Sequence, residues 1–298
     1  MRILLFGAGA MACLFGAKLS RVARVTLMDA WAAGIAAIQE RGIEIEDASG
    51  SQTVQVQGEL LGAPCAPADL AIVLVKSWQT PEIARCLWEY LNPDGIALSL
   101  QNGIGNVEAL GPGVSAGATS EGATLLGPGR VRAGGSGPTH IVAPDWVVNL
   151  MKGAGFDCHS CNIGEAEGLL WGKLLVSCGI NALTALLRAP NGELLKRPDA
   201  ANLMARAVSE CAEVALARGV ALPFSDPVER VKEVAARTAA NQSSMLQDLL
   251  RGAPTECDAI NGAVVREGKR WSVPTPVNEM LCRLIRAAVH PNRSDFQS

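Results

Sequence analysis

The short β-rich run Arg2 to Phe6 leads directly into Gly7-Ala8-Gly9-Ala10-Met11-Ala12, and a second such run, Arg24 to Met28, ends on Asp29. Strand, G-x-G-x-x-A, helix, strand and acidic residue in that order leave few folds open, because the order is the fingerprint of a dinucleotide-binding βαβ unit. Gly7 allows the tight turn, Gly9 lets the backbone approach a pyrophosphate, and the small Ala12 lets helix and strand pack closely. The N–H groups at the start of the following helix, with Ala8, Ala10 and Met11 in the turn, face the phosphates. Asp29 stands where a carboxylate binds the adenosine ribose hydroxyls. That carboxylate repels a 2′-phosphate, and Ala30-Trp31-Ala32-Ala33 offers no arginine to offset it, so NADH is expected over NADPH.

The same edge receives two later segments. Leu70 to Val75 is a continuous apolar run, as expected of a central parallel strand, and it delivers Lys76 to Thr80. Gly95 to Leu100 delivers Gln101-Asn102-Gly103. Lys76 and Asn102 are thereby placed at the carboxyl edge, where open α/β sheets bind ligands. Ile43 to Glu46 with Thr53 to Gln57 reads as a hairpin, Pro81 to Tyr90 as a helix, and Val114 to Val142 as antiparallel additions to the sheet.

After Gly164 the period changes to that of helices, expected over 165–187, 199–218, 227–240, 244–251, 255–267 and 276–288. The fold class is therefore an α/β Rossmann-like N-terminal domain, residues 1–164, plus an all-α C-terminal domain, residues 165–298. The ligand is expected in the cleft between them.

The first of these helices is almost wholly apolar, yet Lys173, Ser177, Asn181 and Thr184 interrupt it at spacings of four, four and three. At about 100° per residue they form one stripe. A solvated face usually collects Glu, Lys and Arg, whereas this one carries a single cation and three short hydrogen-bonding groups. Burying a lysine in such a helix is costly unless something anionic meets it, so the stripe reads as the lining of a site.

Composition narrows the partners. Hydrophobic residues make up 49% and the formal charge is −3, with no basic cluster, so nucleic acid and anionic membrane are not expected. Nine cysteines, scattered in apolar segments, suit a reduced cytoplasmic protein. Cys158 and Cys161 form a C-x-x-C with no second ligand pair at zinc spacing, so no metal is expected. The N-terminal apolar stretch imitates a signal peptide, but Gly7 and Gly9 break it where a strand ends. No uninterrupted apolar run reaches membrane-spanning length. A second copy of the chain, as a homodimer, is the one macromolecular partner left open.

Several segments together resemble the ketopantoate reductase (2-dehydropantoate 2-reductase) family: GAGAMA, VKSWQT, QNGIGNVEAL, GATLLGPGRVRAGGSGPTHI, WGKLLVSCGINALTALLRAPNGEL, SSMLQD and TECDAINGAV. The likeness covers most of the chain in the family's order. It implies reduction of ketopantoate to D-pantoate, on the way to pantothenate and coenzyme A, usually with NADPH. It implies that Lys173 is the general acid and that Asn102 lies at the junction of nicotinamide and substrate. Asn181, Asn191 and Ser244, with the backbone through Gln247, match substrate-binding positions, and Lys76, Ala123 and Glu256 match cofactor-contacting ones.

Two departures stand out: Ser177 replaces the stripe's usual middle asparagine, and Asp29 stands where NADPH users carry arginine nearby. Ser177 motivates an alternative, a reductase of another 2-oxo acid, diketone or imine on the same scaffold. A dinucleotide sensor without turnover is a third reading, disfavoured by the intact Lys173, Asn181, Ser244 and Glu256 set.

Overall fold

The computed structural model describes residues 1–289 and divides into two compact units. The first comprises Met1–Gln101 and Asn106–Ala166; the second comprises Asn102–Gly105 and the chain from Glu167. Asn102–Gly105 thus folds with the later residues although the residues on either side of it in the chain belong to the first unit.

In the first unit β1 (Arg2–Phe6), α1 (Ala10–Leu19), β2 (Arg24–Asp29) and α2 (Ala32–Arg41) build the opening βαβ. β3 (Ile43–Asp47), β4 (Gly50–Val54), β5 (Gln57–Leu60), β6 (Ala68–Val73), α3 (Thr80–Cys86) and β7 (Leu91–Ser99) follow, with a 3-10 turn on either side of α3. The unit closes with α4 (Asn106–Leu110), β8 (Val114–Thr119), β9 (Ala123–Gly127), β10 (Arg130–Ala133), β11 (Thr139–Ile141), α5 (Asp145–Gly153) and β12 (Cys158–Ser160).

The main sheet has the order β12-β11-β8-β7-β6-β1-β2-β5. Its pairs are parallel except β11 with β8. Strand order reverses at β1, which pairs β2 on one side and β6 on the other, and the glycine turn leaves β1 at that switch point. Alternation along β1 explains its centrality. Ile3 and Leu5 join the core that holds Phe15 and Leu27, while Leu4 and Phe6 join the core on the opposite face with Met28 and Val73. β6 divides its residues the same way, as a strand covered on both faces must.

Three expectations for this unit are corrected. The hairpin pairs β3 with Gly50–Val54, because Ser49 turns back onto the Asp47 carboxylate, its N–H 2.8 Å from Oδ1; β5 then leaves to extend the main sheet. Within residues 114–142 only β11 is an antiparallel addition to the main sheet. β8 continues the parallel order, while β9 and β10 form a separate four-stranded sheet, β4-β3-β10-β9, whose Ile43, Ile45 and Val131 bury against α1. The expected helix over 81–90 is α3 with its flanking 3-10 turns.

The second unit is helical: α6 (Ile163–Leu187, beginning in the first unit), α7 (Glu193–Lys196), α8 (Pro198–Ala217), α9 (Pro227–Arg237), α10 (Ser244–Arg251), α11 (Asn261–Arg270) and α12 (Pro276–Ala288). A capping box starts α6: Asn162 Oδ1 accepts from Glu165 N and Glu165 Oε2 accepts from Asn162 N, both at 2.9 Å. By length and composition alone α6 would pass for a membrane-crossing helix, although Glu165, Glu167, Lys173, Ser177 and Asn181 interrupt it. It runs 25 residues, and its most apolar stretch, with a mean hydropathy of 1.5, is 61% buried in the fold, as in a core helix. Trp171, Leu174, Leu175, Cys178 and Ala182 supply that buried surface against Met204, Val208 and Cys211 of α8.

The single helix expected over 255–267 is split. Cys257–Ala259 is a 3-10 turn, Ile260 leaves helical geometry at φ −107° and ψ −96°, and α11 starts at Asn261. The reason is a buried polar knot. The Asn261 amide donates to the carbonyl of Cys178 at 3.1 Å and to Asn278 Oδ1 at 3.0 Å, while Glu210 accepts the N–H groups of Val277 and Asn278. These bonds fix α6, α8, α11 and α12 to one another, and each satisfies a group that would be expensive to bury alone.

Candidate active site

In the first unit the site is made mainly of backbone. Gly7 has φ +133°, and a Cβ there would lie 3.2 Å from Ala12 Cβ and 3.3 Å from the carbonyl carbon of Leu74. At Gly9 a Cβ would meet nothing within 4 Å. The turn is therefore closed on its Gly7 side, by sheet and helix, and open at Gly9, directly before the first N–H groups of α1. That is the shape a pyrophosphate requires, and the residues fit a dinucleotide.

Asp29 is buried, with its carboxylate turned to the turn. Oδ2 accepts from Ala8 N–H at 2.7 Å, and Oδ1 accepts from Trp31 N–H at 3.0 Å and from the Gln79 amide at 3.5 Å. Gln79 Oε1 in turn accepts from Lys76 N–H at 3.2 Å. The glycine turn, Asp29 and the segment after β6 are thus one hydrogen-bonded group. Gln79 is a member that the sequence reading missed; its only signal was its place in the segment delivered to the carboxyl edge. Ala123 opens β9, opposite Ala133, and packs against the core that includes Ala8 and Ala12.

In the second unit the site is made of side chains. Lys173, Ser177 and Asn181 are half-buried along α6. Burial lowers the Lys173 ammonium from 10.5 to about 8, and the negative charge of Glu256 opposes that fall. Glu256 is 4% exposed and Oε2 accepts from the Asn102 amide at 3.4 Å. Asn102 reaches it because Gly103, at φ +79°, lies flat on the 3-10 turn: a Cβ there would stand 2.3 Å from the Ala259 carbonyl oxygen. Ile104 N–H donates to that same oxygen at 3.3 Å. Lys173, Glu256 and Asn102, far apart in the chain, are therefore gathered in one place.

Not every predicted residue joins them in the expected way. Thr184 is fully buried, with Oγ1 2.9 Å from the carbonyl of Ile180 and 2.7 Å from Ser243 Oγ, so it ties α6 to the start of α10. Ser243 caps α10, accepting Leu246 N–H at 3.1 Å, and Ser244 is the first helical residue and half-buried. Asn191 is 8% exposed, bonded through Nδ2 to Thr238 at 2.9 Å and through its N–H to the Asn241 carbonyl at 3.0 Å. Its Oδ1 is buried without a partner among the described residues.

A cleft of about 730 Å³ opens elsewhere in the first unit, lined among others by Arg2, Arg24, Gln57, Glu59 and Cys65. It lies where the parallel strands begin. Ligands of such sheets bind where the strands end, so its size does not make it the site.

Comparison with known proteins agrees across both units. The family model described as Ketopantoate reductase PanE/ApbA matches residues 3–146, and that described as Ketopantoate reductase PanE/ApbA C terminal matches residues 165–289. A 2-dehydropantoate 2-reductase of Halobacterium salinarum is 35% identical, the alignment covering 97% of this chain and 99% of that protein. A crystal structure of a PanE/ApbA family ketopantoate reductase from Ralstonia eutropha JMP134 superposes with a TM-score of 0.89 at 31% identity, covering 97% of this chain and 98% of that one. The ternary structure of D-mandelate dehydrogenase with NADH and anilino(oxo)acetate gives a TM-score of 0.90 at 28% identity over the same shares.

Proposed function

The chain belongs to the ketopantoate reductase family, and on that premise we propose that it reduces ketopantoate to D-pantoate with Lys173 as the proton donor. It is an NAD(P)-dependent oxidoreductase acting on a CH–OH group. The observation that carries the finer reading is the pairing of Lys173 with Glu256. An ammonium that burial has lowered to about 8 is still mostly charged at neutral pH, and it is a stronger acid than an exposed lysine.

Reduction of a ketone places negative charge on the carbonyl oxygen. A bound reduced nicotinamide supplies the hydride. Lys173 stabilises the developing charge and delivers the proton to that oxygen, and Glu256 keeps the lysine protonated beforehand. Asn102, held by Glu256, orients the reacting carbonyl, while Asn181, Asn191 and Ser244 bind the rest of the substrate. The glycine turn, Asp29, Lys76 and Ala123 hold the dinucleotide, and the Asp29 carboxylate favours NADH by repelling a 2′-phosphate. The reaction belongs in the cytoplasm.

A second reading rests on Ser177. A serine in place of asparagine gives up an amide and leaves more room beside Lys173, and the D-mandelate dehydrogenase likeness points to 2-oxo acids with bulkier side chains. Following oxidation of NADH and NADPH at 340 nm with ketopantoate and with aryl 2-oxo acids separates the two. Ketopantoate is expected to have the highest kcat/KM, with NADH preferred. An aryl acid winning clearly overturns the first reading, and a strong NADPH preference overturns the role given to Asp29.

A further inference from the structure

Trp31 lies two residues after Asp29, the last residue of β2, and its N–H donates to the same carboxylate oxygen, Oδ1, that accepts from Gln79. A single exposed aromatic ring needs no special explanation. This ring, however, is fixed. A Cβ at Gly34 would lie 2.3 Å from Trp31 Cε3 and 2.7 Å from Cζ3, so the six-membered ring of the indole rests on the bare Cα of Gly34 in the first turn of α2. Glycine inside a helix is unfavourable relative to alanine, and here its lack of a side chain is what lets the ring lie down. Trp31 as a residue keeps 36% of its surface exposed.

The carboxylate beside it has capacity to spare. A carboxylate offers about four acceptor positions, and Ala8, Trp31 and Gln79 engage three. An acidic residue in this place receives the adenosine ribose. A flat, oriented, partly exposed π-surface two residues on suits the purine attached to that ribose.

We infer that Trp31 is the stacking platform for the adenine of the bound dinucleotide. Its orientation is set by Gly34 and by the Trp31 N–H bond to Asp29. The inference rests on the reading of the first unit as the dinucleotide-binding unit and adds a specificity residue to it. Ala30-Trp31-Ala32-Ala33 holds no arginine to serve a 2′-phosphate, so ring stacking rather than charge is the source of adenosine affinity. Stacking of a base on an aromatic side chain typically changes affinity by about 5- to 150-fold on alanine substitution.

The test compares the unaltered protein, Trp31→Ala and Trp31→Phe by isothermal titration calorimetry. The ligands are the better bound of NADH and NADPH, and reduced nicotinamide mononucleotide, which lacks the adenine. Circular dichroism checks folding. Trp31→Ala is expected to weaken the dinucleotide about 5- to 150-fold and leave the mononucleotide within twofold, with Trp31→Phe recovering most of the loss. Dinucleotide affinity within twofold of the unaltered protein in Trp31→Ala overturns the inference. So does equal weakening of both ligands, the mark of a merely structural residue. An unaltered protein that binds neither dinucleotide removes the underlying reading as well.

Discussion

The glycine turn and the lysine stripe are both polar sites set into apolar structure, yet they are built on opposite principles. The turn is six consecutive residues whose chemistry is backbone: N–H groups, and the absence of a side chain at Gly7 and Gly9. The site on the stripe is assembled from Asn102, residues of α6 and Glu256, and its chemistry is the balance between desolvation of an ammonium and the attraction of a carboxylate. A backbone site fails abruptly when a Cβ is added. A side-chain site is tuned, and its properties move by degrees with each neighbour.

The largest effect expected from breaking this contrast is at Lys173. Lys173→Ala is expected to lower kcat by about 10² to 10⁴, the range for loss of a positioned proton donor, while the dinucleotide Kd stays nearly unchanged. Steady-state kinetics alongside titration of the cofactor checks both halves. Next comes Gly7→Ala, where φ +133° strains any L-residue and a methyl group would press on Ala12 Cβ at 3.2 Å and on the Leu74 carbonyl carbon at 3.3 Å. An L-residue forced into such a conformation costs about 1–3 kcal/mol, to be read from chemical unfolding, with dinucleotide affinity lost alongside stability. The smallest effect is at Ser243→Ala. Losing the N-cap of α10 is expected to cost about 1 kcal/mol in the same unfolding assay.

The contrast also explains what could be read without coordinates. The opening βαβ, the core strand β6 and the helices α10 and α12 follow from local pattern, because glycine spacing, two-face burial and helical period are written in consecutive residues. The pairing of β10 with β3 was not legible, since it joins residues 86 apart in a short, charged strand where Arg130 meets Glu44. Asn261 reads as one more polar residue on a helix, yet its buried amide sets where α11 begins. Thr184 has the spacing of the stripe, but its short hydroxyl satisfies itself on the preceding turn and on Ser243. Gln79 and Trp31 were visible as letters. Their convergence on one carboxylate was not.

The central claim, that a half-buried lysine poised by Glu256 is the proton donor, is tested most directly by the pH dependence of kcat/KM, which reports groups of the free enzyme. The donor acts in its charged form, so kcat/KM is expected to fall as pH rises through about 8. Glu256 raises the lysine's pKa, so in Glu256→Gln that fall must move to lower pH. A profile flat to beyond pH 10, or one whose fall stays in place when Glu256 is neutralised, would contradict the account.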